Sequence, residues 1–294
     1  MRKIQFFFIV VVAFLAGLAG AWVLQASKAS DGKATVESAY DRVMRTQTIR
    51  CGYIVWTPAI LKDPNTGQLS GIFYDYTQEL GKALHLKIEW TEEMGWSDFP
   101  AALESGRVDA MCAGSFANSA RARMIDFTQP IFYEPMYVYV RTDDTRFDNN
   151  MTLINDPAIT IISVEGATTS LVAMQDFPKA KNTQLPEMTS LSESFVSLVG
   201  GKGDVVIMPS PPAREYDTHN PGKIRRVPAK APLRFFGVSI ALGGGQDRLR
   251  RMLDFATEEM LASGQVEKII IKYDNNPDDL LRVALPYQKT ETAP

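Results

Sequence analysis

Side chains able to do chemistry are sparse in this sequence. Its histidines are His85 and His219 and its cysteines Cys51 and Cys112, and no C-x-x-C, H-x-x-H or H-E-x-x-H spacing can be assembled from them. Neither zinc nor an iron–sulfur centre is expected, and no cofactor is implied. Nucleophile and phosphate motifs of the G-x-S-x-G and G-x-x-x-x-G-K-[ST] kinds are absent. Acid–base candidates reduce to His85, Glu92, Glu93 and Glu134. Anion recognition is better represented. In the stretch S-A-R-A-R, Arg121 offers a planar fork of donors that matches a carboxylate; alternatively, Arg121 and Arg123 form an exposed basic face near Asp126. At Gly166-Ala167-Thr168-Thr169 an apolar strand runs into a helix. Free N–H groups and the positive helix end there favour a negative group, although a threonine can also serve as an ordinary cap. Trp56, with Tyr53, Phe73 and Phe116, forms either an apolar ligand wall or plain core.

These groups must be positioned by a chain of 294 residues, enough for two globular units at roughly 150 residues each. Lys plus Arg total 31 against 34 Asp plus Glu, so the net charge is -3 and the basic excess of a nucleic-acid binder is missing. Met1-Arg2-Lys3 precede an apolar run at 4–24 whose only polar member is Gln5. Such a run reaches roughly 30 Å, the thickness of a hydrocarbon core, which favours an uncleaved transmembrane anchor over a signal peptide. Ala26, Ser27 and Ala29 nevertheless offer a cleavage site. In either case Arg2 and Lys3 hold the start in the cytoplasm, and everything after residue 30 is expected outside the inner membrane. An oxidising compartment permits one disulfide. Both cysteines, however, lie in segments that read as neighbouring parallel strands, where bridging geometry is rare, so two free buried thiols are expected.

Beyond a polar linker the periodicity alternates. A short helix at about 36–44 leads to a strand at 49–55, a turn at Asp63-Pro64-Asn65-Thr66-Gly67, a helix with Tyr76, Leu80, Ala83 and Leu84 on one side, and a strand at 86–90. Ser97 is placed to cap a helix that carries Pro100 and stops at Gly106, before a strand at 108–113. The pattern restarts with a strand at 159–164, helices from Thr168 and around 192–199, and a strand at 204–208. Strand and helix in alternation predict an α/β fold with parallel sheet covered on both faces. Extended runs near 137–148 and 235–242 would cross between the two units, and an amphipathic helix at 246–262 would return to the first.

Five ordered pieces carry a resemblance: I-R-C-G-Y-I-V-W-T-P-A; G-Q-L-S-G-I-F-Y-D; W-S-D-F-P-A-A-L-E-S-G-R-V-D-A-M-C-A-G; S-A-R-A-R-M-I-D-F-T-Q-P-I-F-Y-E; and G-V-S-I-A-L with the closing A-S-G-Q-V-E-K-I-I-I-K-Y-D. Over about 48–274 the chain resembles the family 3 extracellular solute-binding proteins, the amino-acid-type receptors of ABC importers. The resemblance implies a two-lobed periplasmic binding protein type II fold with a two-strand hinge. Lobe 1 would comprise 48–140 and 237–288 and lobe 2 141–236, after a signal or anchor at 1–27 and a linker with a short helix at 28–47.

The same resemblance implies that Arg121 holds a ligand α-carboxylate, that the turn at Thr168 and Thr169 grips it from the other lobe, and that Trp56 covers the ligand side chain. Two departures stand out. Ser115-Phe116-Ala117 precedes the arginine where the family usually has more hydroxyls. Pro209 stands where an aspartate commonly binds the α-ammonium, with Ser210 as the polar side chain directly adjacent. A ligand without a free ammonium is therefore expected, or one whose cation meets Glu134, Glu215 or the aromatic wall. The implied function is capture of an amino-acid-like or small organic carboxylate for an inner-membrane permease. The alternatives are a membrane-anchored sensing or assembly protein and, further off, a cofactor-free dehydratase on the same fold.

Overall fold

The structure is a computed structural model that describes residues 37–274, 276 and 279–284. The expected signal or anchor at 1–27 and most of the linker lie outside the described residues. From Ala39 onward the chain is one compact unit.

Helix α1 (Ala39–Thr46) buries Val43 and delivers the chain to strand β1 (Thr48–Tyr53). Its attachment is electrostatic. The carboxylate of Asp109, 2 % exposed, accepts from Arg42 Nε at 2.7 Å, from the Arg50 backbone N–H at 2.7 Å and from Arg50 Nη2 at 2.9 Å. Removing one partner of a buried charge satisfied this completely would leave the other uncompensated and destabilise the fold.

A small hairpin, β2 (Leu61–Lys62) and β3 (Leu69–Ser70), turns through Asp63, whose side chain accepts from the amides of Asn65 and Thr66 at 2.8 Å each. Helix α2 (Ile72–Ala83), strand β4 (Lys87–Glu93), helix α3 (Phe99–Glu104) and strand β5 (Ala110–Phe116) follow. Both β4 and β5 pair parallel to β1, with the helices as crossovers. After β6 (Ile125–Phe127), the ten-residue β7 (Phe132–Arg141) leaves this half. The second half repeats the logic through β8 (Thr160–Val164), α4 (Thr168–Asp176), β9 (Lys181–Leu185), α5 (Glu193–Val199) and β10 (Val205–Pro209), with β8 parallel to both β9 and β10. Helix α6 (Ser210–His219) and β11 (Ile224–Arg226) precede the ten-residue β12 (Arg234–Gly243), and α7 (Asp247–Ala262), α8 (Gln265–Tyr273) and β13 (Leu281–Arg282) close the chain.

Strands β7 and β12 pair antiparallel, β12 continues onto β5, and β7 onto β10, so the strand order is β4-β1-β5-β12-β7-β10-β8-β9. These two long strands overlap the extended runs expected near 137–148 and 235–242 and join the two halves of the sheet. Helix α7 turns Leu249, Leu253, Ala256 and Met260 inward, as its period requires.

The structure corrects three local expectations. Cys51 and Cys112 are joined in a disulfide rather than left as free thiols. Cys51 pairs with Ala110, so Cys112 lies two positions further along β5 on the same sheet face, with the Cα atoms 5.3 Å apart, inside bridging range. Strand order alone does not reveal that diagonal register. Ser97 does not cap α3; Asp98 occupies the cap position without a side-chain cap bond. The sequence reading placed no helix at 210–219, yet α6 forms there with Pro211 and Pro212 in its first turn, where proline's missing N–H has no intrahelical partner.

Candidate functional site

The end of β5 and the following 3₁₀ turn, Arg121–Arg123, bring a guanidinium toward the second half of the sheet. Asn118 fixes the entry, its Oδ1 accepting from the Arg121 amide at 3.1 Å. Arg121 Nη1 then donates to Ser115 Oγ at 3.0 Å and to Thr168 Oγ1 at 3.4 Å, and Nη2 donates to the carbonyl of Gly166. Its guanidinium carbon lies 4.8 Å from the centroid of the Phe99 ring. The exposed basic face is thus not the arrangement adopted: Arg121 is partly buried and spans from β5 to the start of α4.

Every partner of that guanidinium is neutral. Among the described residues no carboxylate pairs with it, and burial pushes its pKa down to about 10. It also rests at the amino end of α4, the positive end of that helix. The N-cap there is Ala167, which supplies no side-chain cap, and Thr168 turns its hydroxyl to Arg121 instead of capping. Thr169, 3 % exposed, holds its Oγ1 buried without a hydrogen-bond partner among the described residues. A cation, a helix amino terminus and hydroxyl groups converge on one place, and an anion between them would relieve the repulsion.

The aromatic residues make a second group. Trp56 donates from Nε1 to the carbonyl of Ala113 at 2.9 Å and packs edge-on against Phe116 and Trp96, with centroids 5.5 and 6.1 Å apart. Phe116 continues to Phe236 at 5.6 Å. A cleft of about 230 Å³ runs beside this group, lined in part by Trp56, Met94, Trp96, Glu187, Ser190 and Glu215. Arg121, Ser115 and Thr168 therefore form one hydrogen-bonded group, and Trp56 and Phe116 form one aromatic group. Ser210 stands apart at the start of α6, accepting from the Tyr139 hydroxyl at 3.4 Å.

Sequence reasoning missed two participants, Phe99 and Glu187. Phe99, inside W-S-D-F, supplies the ring beneath the guanidinium; its place just inside a short helix was the available signal. Gly166 presents its carbonyl, and Glu187 reaches across to accept from the Ser97 amide at 3.0 Å, a contact 90 residues apart in the chain that no local pattern encodes. Gly166 also allows the two halves to approach. It adopts φ +73°, and a Cβ there would come within 2.5 Å of the Ser97 nitrogen. Gly166→Ala is accordingly expected to destabilise this arrangement by about 1–3 kcal/mol. A lowered thermal midpoint and a larger radius of gyration in solution scattering would show it; an unchanged radius would mean that the approach is not tight.

Comparison with known proteins accords with this geometry. An ancestral amino acid-binding protein, a precursor of cyclohexadienyl dehydratase, superposes with a TM-score of 0.69 at 24% identity, covering 80% of this chain and 99% of that one. An ancestral arginine-binding protein bound to arginine gives 0.66 at 25% identity over 78% and 99%. An amino acid ABC transporter substrate-binding protein from Streptococcus pneumoniae, bound to L-arginine, gives 0.68 at 21% identity over 84% and 100%. A probable histidine-binding protein of Neisseria gonorrhoeae is 25% identical over 208 residues, which is 70% of this chain and 75% of the relative. The fold is that of type II periplasmic binding proteins, and the match of residues 49–276 to the bacterial extracellular solute-binding proteins, family 3, makes this chain a member of that family.

Proposed function

We propose that this protein captures an amino-acid-like carboxylate between its two lobes and presents the closed form to an inner-membrane permease of an ABC importer. Residues 48–140 and 237–288 would form one lobe and 141–236 the other. The observation that carries this reading is the convergence of Arg121 and the α4 amino terminus, two positive groups from opposite halves of the sheet. A carboxylate accepted by both stabilises closure because its contacts exist only when the halves are together. Trp56, Phe116 and Phe99 would supply the apolar wall, with Ser115, Thr168 and Thr169 as hydroxyl partners. Ser210 would sit at its edge. The disulfide accords with an extracytoplasmic location, where such bonds persist.

The test is thermal unfolding of the purified protein against L-amino acids, their N-acetyl forms and simple carboxylates. A ligand at a hundred times its dissociation constant adds about 2.7 kcal/mol of stability, a readily measured rise in midpoint. A rise confined to carboxylates supports the reading. No rise with any of them would remove it.

A further inference from the structure

Glu134 lies on the hinge strand β7, 0 % exposed, and among the described residues neither of its carboxyl oxygens has a hydrogen-bond partner. Among the described residues Arg121 is thus a basic group with neutral partners only, and Glu134 a carboxyl group with none.

Sheet register locates it. Glu134 is paired directly with Phe236, and Phe236 packs on Phe116, which packs on Trp56, with centroids 5.6 and 5.5 Å apart. Phe132, two residues before Glu134 and hence on the same face, meets Phe73 at 6.0 Å. On the other side, Met136 is two residues beyond Glu134 on that face and is paired with Pro209. The carboxyl group therefore shares a sheet face with the aromatic wall and with position 209, and lies between them along the hinge. Aromatic faces around a carboxylate make a favourable environment for an organic ammonium or guanidinium.

We propose that Glu134 receives the cation of the amino-acid ligand whose carboxylate Arg121 holds, in place of an acidic residue at position 209. This rests on the carboxylate-capture reading above. Buried acids are retained at a cost unless something compensates them, and Glu134 has no compensation from its neighbours. The arginines on elements packed against β7 are committed elsewhere, Arg234 of β12 to Asp176, Arg225 of β11 to Asp148, Arg214 of α6 to Asp279, and Arg282 of β13 to Glu267 and Asp274, and the helices against β7 also carry Glu193 on α5 and Glu215, Asp217 and His219 on α6. Arg226 of β11 lies over the Tyr137 ring. Burial alone holds the Glu134 carboxyl well above the usual carboxylate range, which favours the protonated acid in the ligand-free protein.

An arriving cation would favour the carboxylate, and the displaced proton would leave to solvent. Affinity for a cation-bearing ligand should rise about tenfold per pH unit while the ligand-free acid remains protonated. The linkage has the opposite sign for the free protein. A raised folded pKa gives stability that is present in full below about pH 4.5 and declines as pH rises through the folded pKa.

Isothermal titration of the unaltered protein and of Glu134→Gln, with L-arginine, L-histidine, L-glutamine and their Nα-acetyl forms in buffers of different ionisation enthalpy, tests this. We expect the unaltered protein to release protons on binding cation-bearing ligands and Glu134→Gln to release none. The variant should bind those ligands about 10- to 100-fold more weakly, the range of one charged hydrogen bond. Comparing acetylated with free forms shows whether the α-ammonium or a side-chain cation is read. The proton count on the unaltered protein stands even if the variant misfolds. Binding without proton release, or undiminished binding by folded Glu134→Gln, overturns the proposal while leaving carboxylate capture intact. Failure of every carboxylate to bind the unaltered protein overturns both.

Discussion

Arg121→Ala is expected to abolish the ligand-induced rise in thermal midpoint, weakening carboxylate binding by a factor of about a hundred or more. Removing the guanidinium would leave the ligand's carboxylate buried without its ionic partner, a loss of roughly 3–5 kcal/mol for a pair broken on one side. The ligand-free protein should behave differently. Among the described residues its guanidinium has only neutral partners, and it lies at the positive end of α4 and is held below its ordinary pKa by burial. Deleting a cation from such a place costs little, so the midpoint without ligand should fall only slightly or rise. That contrast separates a recognition residue from a structural one. If the variant were strongly destabilised without ligand yet retained its ligand response, Arg121 would be a strut between the halves. Arg121→Lys should restore only part of the affinity, because an ammonium cannot present a planar fork.

Loss of the Cys51–Cys112 bond is expected to have the next largest effect. The bond links residues 61 apart in sequence, and a chain-entropy treatment of a loop that size gives about 4 kcal/mol. For a protein of this size that corresponds to a fall of roughly 10 °C in the unfolding midpoint. Thiol titration of the oxidised protein unfolded in denaturant should find no reactive cysteine, and reduction should reproduce the midpoint of Cys51→Ala/Cys112→Ala. Equal midpoints before and after reduction would mean that the close packing of β1 against β5 does the stabilising and the bond adds nothing.

The two sites differ in how visible they were. Arg121 sits in S-A-R-A-R inside an ordered family pattern, and its carboxylate role could be expected from guanidinium chemistry together with that pattern. The α4 turn was likewise legible, because a strand ending at a glycine before a helix is a local event. Partners joined by distance were not legible. Glu187 meets Ser97 only because the two halves of the sheet face each other. The disulfide depends on a register of β1 against β5 that alternation of apolar residues leaves free, since period gives the face of a strand but not its offset from a neighbour.

Local periodicity, glycine and proline placement, and charge balance are short-range properties, so the chain by itself determined the alternating α/β order, the two crossings, the absence of a nucleic-acid signature and a candidate arginine for anion recognition. Which of two open readings Arg121 would adopt was decided by tertiary structure. Its guanidinium became a group with neutral partners only when α4 was brought against it. Glu134 gained its meaning in the same way: a glutamate in an apolar strand is ordinary in sequence, and only closure of β12 and the aromatic cluster over it makes a buried acid without a partner. Electrostatic demand is set by everything that excludes water around a charge, and that surrounding is assembled from residues far apart in the chain.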